Sequence, residues 1–372
     1  MGGETGLREN ARAMSEAHTS AGVDTAQAGR GVDALVSVLQ TIELDRPKRS
    51  VLPSGHYASV LELAPGLGVA LSTDGVGSKL LIAEATGRLE TIGVDCIAMN
   101  VNDVLCVGAQ PIAVLDYLAV EQVDEEALRQ IAIGLKRGAE LAGVEIPGGE
   151  LAVLPEVIRG HPSPRGFDLC ATCLGVVALD AVVTGERARP GDVLLGLPSS
   201  GLHSNGYSLA RRVLREDAGL GLDDRPDLLG GGTIADALLE PTTIYVRAIR
   251  ALLDSDVEVR GLAHITGGGL LNLLRLHGDS IGFEIDEPLP VPPICELVCD
   301  LGELDAAEAH EVFNMGCGFM AIVPAQSAQT AAELLESHHA GTRMIGRVTD
   351  QAGRVAVPPR GVVGDREGMR SG

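Results

Sequence analysis

The 372-residue chain has no tryptophan, four tyrosines and four phenylalanines, so aromatic residues make up only 2% of it. Its core must be built from Ala, Val, Leu and Ile, and ring stacking can do little to hold it together. Positive charge is also scarce: 29 Lys and Arg stand against 51 Asp and Glu, a formal net charge of -22. That excludes a nucleic-acid duplex or an anionic membrane surface as partner, because both would be repelled. An anionic small molecule would need local cations or backbone amides instead. No apolar run has membrane length and no cationic-apolar leader is present, so a soluble, cytoplasmic protein is expected. The seven cysteines, an odd count without framework spacing, favour reduced thiols. Cys170 and Cys173 are spaced like a chelating pair, but 168–177 reads as a strand, where residues three apart face opposite sides. Cys295 and Cys299 would share a helix face, where packing is the simpler role.

Glycine is plentiful, at 48 residues, and it gathers where apolar strands give way to helices. The length suits two domains of ordinary size. The run 67–71 reads as a strand, and after it come Asp74, Gly75, Gly77, Ser78 and Lys79, with a helix opening near Ser78. Glycine amides and a helix N-terminus favour an anion there. Lys79 could reach phosphate oxygens, and Asp74 could hold the Mg²⁺ that travels with a nucleotide. The order of residues is wrong for a Walker A loop.

Residues 90–108 have helix length and are apolar on nearly every side, so this helix should be buried. Yet Asp95, Met99 and Asn102 fall in one stripe, with Asp103 beside it and Asn100 nearby. The apolar strand 112–120 carries Asp116 in its middle. Buried carboxylates are costly unless paired or metal-bound, so these groups beside a phosphate-style turn suggest a nucleotide–Mg²⁺ site. Residues 124–142 read as an amphipathic helix capped by Asp124. A short strand, 144–147, should run into a Gly148-Gly149-Glu150 turn that offers Glu150 as another metal ligand. The basic run 46–49 reads first as a solvated linker.

Charge, Gly and Pro in 180–191 mark a boundary, giving domains over 1–182 and 183–357. Two more strand–glycine–helix turns follow, at 199–208 with His203 and at 263–269. Each could be a cap or an anion cradle. The tail 358–372 is expected to be disordered.

Taken in order, these motifs resemble the phosphoribosylformylglycinamidine cyclo-ligase, or AIR synthetase, family in its archaeal-type branch. The matching stretches are 21–29 (AGVDTAQAG), 72–87, 91–121, 148–150, 197–214 with HSNGYSL, 240–246, 263–269 and 313–319 (FNMGCGF). They span roughly residues 20–350. The resemblance implies an α/β fold in two halves, with N-terminal strands forming a barrel across a homodimer. It also implies that ATP, with Mg²⁺, activates the formyl oxygen of formylglycinamidine ribonucleotide for ring closure to aminoimidazole ribonucleotide. Asp74, Asp95, Asp103 and Glu150 would hold metal. Gly75, Gly77, Ser78, Lys79, Asn102 and Asp116 would join Asp74 around the nucleotide. His203, Ser204, Asn205, Thr266, Gly267, Gly268 and Asn314 would bind the ribonucleotide, with Lys79, His203 and Asp103 catalytic. Two departures stand out: Gly55-His56-Tyr57-Ala58-Ser59 replaces the family's phenylalanine-glycine run, and Leu151 replaces a threonine after Glu150. They leave as alternatives a silent nucleotide-binding paralogue or another phosphoryl-transfer member of the superfamily.

Overall fold

Strict alternation builds the first layer. In the strand Phe167–Ala178 every second residue from Phe167 to Val177 is buried, which gives the strand one face for a core. The computed structural model describes residues 25–53 and 55–372. Residues 1–24, including the start of the 21–29 motif, lie outside the described residues. The first half comprises α1 (Thr25–Leu39), β1 (Ser59–Ala64), β2 (Leu67–Gly75), α2 (Leu80–Thr86), α3 (Glu90–Cys106), β3 (Gln110–Val120), α4 (Glu125–Ala142), β4 (Glu145–Val153) and β5 (Phe167–Ala178). Its sheet runs β1-β2-β5-β3-β4, antiparallel except for the β3–β4 pair.

As expected from its all-round apolarity, α3 is buried from Ile92 to Asn102. It lies between the sheet and α4, and also touches the second domain. Glycines allow the close approach. A Cβ on Gly138 would lie 2.9 Å from the Cβ of Ile97, and one on Gly175 would lie 2.5 Å from Val104. Asp124 caps α4 through the amides of Glu126 and Ala127.

The second half forms an eight-stranded mixed sheet from β6 (Val193–Pro198), β7 (Gly261–His264), β8 (Gly282–Ile285), β9 (Cys317–Val323), β10 (Arg343–Thr349), β11 (Val355–Val357), β12 (Val362–Asp365) and β13 (Gly368–Ser371). The tail expected to be disordered is therefore ordered. Its β12–β13 hairpin extends the sheet edge beyond β11 and buries Val362, Val363 and Met369. Turn-rich composition hid three apolar residues that only a neighbouring strand makes useful.

Other boundaries also moved. Gly148-Gly149-Glu150 is not a turn but the middle of β4, held in parallel register by β3. The strand β1 starts only at Ser59, and ahead of it the Tyr57 hydroxyl donates to the Asn272 carbonyl. The helix Val246–Leu253 starts after residues 240–245, which are drawn along α3.

Candidate active site between the two domains

The polar stripe on α3 is where the two halves meet. Lys79 Nζ lies 2.9 Å from each Asp95 carboxylate oxygen and donates to the carbonyls of Glu240 (2.7 Å) and His203 (3.2 Å). Asp95 Oδ1 also accepts from the Thr242 amide and hydroxyl, both at 2.7 Å. Lys79 and Asp95 are both fully buried. Burial pushes the Lys79 ammonium below the ordinary lysine range, and the Asp95 charge pulls it back up. Two turns on, Asn102 donates to the Thr243 carbonyl at 2.9 Å and accepts from the Tyr245 amide at 3.0 Å. The expected phosphate ligand Lys79, metal ligand Asp95 and nucleotide ligand Asn102 are thus occupied in pinning the 240–245 segment. A carboxylate already neutralised by an ammonium and two donors is a poor metal ligand.

Beside this pin lies a second polar cluster with a different character. Asp103, half-buried at the end of the stripe, is 2.9 Å from Nδ1 of His264, which comes from the end of β7. The second nitrogen of His264 is 3.5 Å from the Asn102 amide, and Ser72 Oγ lies 3.5 Å from Asp103 Oδ2. His264 lies in the 263–269 stretch, which by itself reads as a cap or an anion cradle. Its role was illegible because its partner is 161 residues away. Asp74, at the end of β2, accepts from the Gly75 amide at 2.8 Å. Burial raises its carboxyl above the usual aspartate range; the Gly75 amide opposes this and the Asp103 charge adds to it.

The glycine turns converge here. Ser78 Oγ lies 3.4 Å from Ser208 Oγ, and a Cβ on Gly267 would sit 3.3 Å from Asn205 Oδ1. Asn272 donates to the carbonyls of Gly267 and Gly269, turning both inward, while Gly267 and Gly268 are exposed and Thr266 is half-buried. Asn205 Nδ2 is a buried donor without a partner among the described residues, and Ser204 bonds Thr242 at 3.0 Å. His203 is not open to a ligand. It is 2% exposed, its Nε2 accepts from the Ser200 amide, and burial drives its pKa well below the ordinary value. Asn314 is likewise occupied, bonding Ser199, Gly201 and Gly316 to shape its own turn.

The remaining acidic candidates separate by register. Asp74 and Asp116 both pair with Ala171 of β5, so they share one row and one sheet face, about 10 Å apart across two strand spacings. Burial also raises the Asp116 carboxyl. Glu150 pairs with Tyr117, one residue out of phase with Asp116, so it leaves the opposite face. Among the described residues no three His, Cys, Asp or Glu side chains gather as a metal cluster. Asp116 lies against Gly149, where a Cβ would come within 2.8 Å of its carboxyl carbon. Beside it is a cleft of about 740 Å³, walled by Leu118, Leu135, Ile146 and Leu151.

A family model described as AIR synthase related protein, N-terminal domain, matches residues 55–177, and its C-terminal counterpart matches 189–357. The phosphoribosylformylglycinamidine cyclo-ligase of Thermococcus kodakarensis is 44% identical over 90% of this chain and 96% of its own. That of Methanothermobacter thermautotrophicus is 47% identical over 81% and 86%. This chain belongs to the phosphoribosylformylglycinamidine cyclo-ligase family. The fold extends beyond the family. A thiamine monophosphate kinase from Aquifex aeolicus shares it at TM-score 0.57 and 17% identity, covering 88% of this chain and 95% of its own. The hydrogenase maturation protein HypE of E. coli does so at 0.56 and 23%, covering 82% and 84%. Motifs along 72–121 and 197–319, which the sequence suggested as cyclo-ligase marks, meet across the two halves at Asp95–Thr242 and Asp103–His264. No described helix is long and apolar enough to cross a membrane.

Proposed function

We propose that this chain carries out the reaction its family is named for: ATP-dependent closure of formylglycinamidine ribonucleotide to aminoimidazole ribonucleotide, with release of ADP and phosphate. The observation that carries the reading is the convergence of the Gly75–Ser78 and Thr266–Gly269 turns beside the Asp103–His264 pair. Phosphoryl transfer needs positioning and charge balance more than a nucleophile, and glycine turns beside carboxylates are suited to both. The ribonucleotide binds on the exposed 266–268 backbone with the unpartnered Asn205 amide. The nucleotide base lies in the apolar Asp116 cleft, with its phosphates toward Asp74. Mg²⁺, when bound, would neutralise phosphate charge and be held by Asp74, one or two carboxylates being the usual protein share when phosphates supply the rest, while Asp116 stays on the side of the base. His264 is fully buried and acts as the orienting partner of Asp103, which is the more open of the two and the group proposed to move a proton at the ring-closing nitrogen.

The family's threonine would have added a hydroxyl at position 151; Leu151 instead adds apolar wall to the cleft. A dimer is supported by Leu61, Leu63, Leu67, Leu115 and Tyr117, all exposed on the sheet face opposite α3. Incubation with ATP, Mg²⁺ and the ribonucleotide should yield equal amounts of ADP, phosphate and aminoimidazole ribonucleotide, and chelation should stop all three. ADP without the imidazole would refute the assignment.

A further inference from the structure

Arg275 closes the short helix Gly269–Arg275, and its guanidinium lies 4.9 Å over the ring of Tyr57, a residue from the other domain. Tyr57 is itself fixed: it is 6% exposed, its hydroxyl donates to the Asn272 carbonyl at 2.8 Å, and His56 packs edge-on at 5.7 Å. The guanidinium is held in place by the ring beneath it. Its five N–H donors nevertheless meet no acceptor among the described residues. The side chain is exposed, so these donors are open to a ligand as well as to solvent. Arg260, by contrast, is paired with both Asp192 and Glu258. Arg275 ends the helix that begins at Gly269, and Tyr57 beneath it reaches the Thr266–Gly269 turn through Asn272, which holds the carbonyls of Gly267 and Gly269.

We infer that Arg275 is a phosphoryl-binding residue of the inter-domain site, and that Tyr57 positions it. A planar fork with no acceptor among the described residues, exposed and stacked on a fixed ring, suits the oxygens of a phosphoryl group. The same arrangement gives a purpose to the departure at Gly55–Ser59. Tyr57 supplies a ring for the guanidinium and a hydroxyl that ties this first-domain loop to the Thr266–Gly269 turn through Asn272. The inference rests on the proposed reaction. The phosphoryl could be the 5′-phosphate of the ribonucleotide or the group leaving ATP.

Steady-state kinetics on the purified full chain separate these sources. Arg275→Lys keeps the charge but loses the fork, and kcat/KM should fall roughly 10- to 100-fold, the size of one lost charge-assisted hydrogen bond. Its melting temperature should stay close to that of the unaltered chain. A rise in KM for the ribonucleotide alone assigns the 5′-phosphate, and a fall in kcat with both KM values unchanged assigns the transferred group. Tyr57→Leu should lower kcat/KM in the same parameter, Tyr57→Phe should recover most of that loss, and Tyr57→Leu added to Arg275→Lys should cost little more. The inference is overturned if Arg275→Ala keeps kcat and both KM values. It is equally overturned if the losses only track the unfolded fraction. An unaltered chain that forms no imidazole product would instead count against the reaction itself.

Discussion

Lys79 and Asp95 show how one residue pattern can serve two purposes. A lysine after a glycine turn and an aspartate in an apolar helix are compatible with phosphate and metal binding. Here they neutralise each other at zero exposure and join the two domains. Removing one partner leaves a buried charge, which typically costs about 3–5 kcal/mol. Asp95→Ala should therefore lower stability by that order in chemical denaturation, with or without nucleotide. Asp74 should behave in the opposite way. Its folded pKa is raised, so the group contributes stability below its unfolded pKa, near 3.8, and loses it as pH rises through the raised value. Asp74→Asn should thus leave the unliganded protein as stable or more stable near neutrality. It should also shrink the melting shift produced by Mg²⁺–ATP. A destabilised apo variant with an undiminished shift would mean that Asp74 is a structural anchor.

At the scale of elements, the register of β3, β4 and β5 decides which acidic groups can cooperate. Asp116 and Glu150 look equivalent along the chain, but a one-residue phase difference sends them to opposite faces. Exchanging Gly149 for Ala would force a Cβ into the Asp116 carboxyl. The C-terminal hairpin makes a separate claim. Ending the chain at Val357 would remove β12 and β13 and with them the burial of Val362, Val363 and Met369. Each such side chain is worth about 1.5–3 kcal/mol. The truncated protein should melt at a distinctly lower temperature; an unchanged melting curve would show that the hairpin adds nothing.

For the whole molecule, the outer face of the first sheet is the unfinished surface. Five large apolar residues stand exposed on the sheet while its other face packs on α3, and an isolated soluble chain rarely leaves such a patch open. Light scattering at micromolar concentration should give twice the chain mass of 38.5 kDa. Leu115→Asp combined with Tyr117→Asp should return it to one chain mass while far-ultraviolet circular dichroism stays unchanged. A monomeric unaltered chain would contradict the dimer.

Local pattern alone determined much of this protein. Period-two burial in 167–178, the all-round apolarity of 90–106 and the capped helix after Asp124 are properties of neighbouring residues, and each formed as its spacing requires. The recurring glycine turns also marked the region of the site. The tertiary structure alone decided which polar groups face a ligand. Lys79 meets Glu240 across 161 positions, and Asp103 meets His264 across 161. A buried charge must find its counterpart wherever the fold brings one within hydrogen-bond distance, and sequence separation carries no record of that distance.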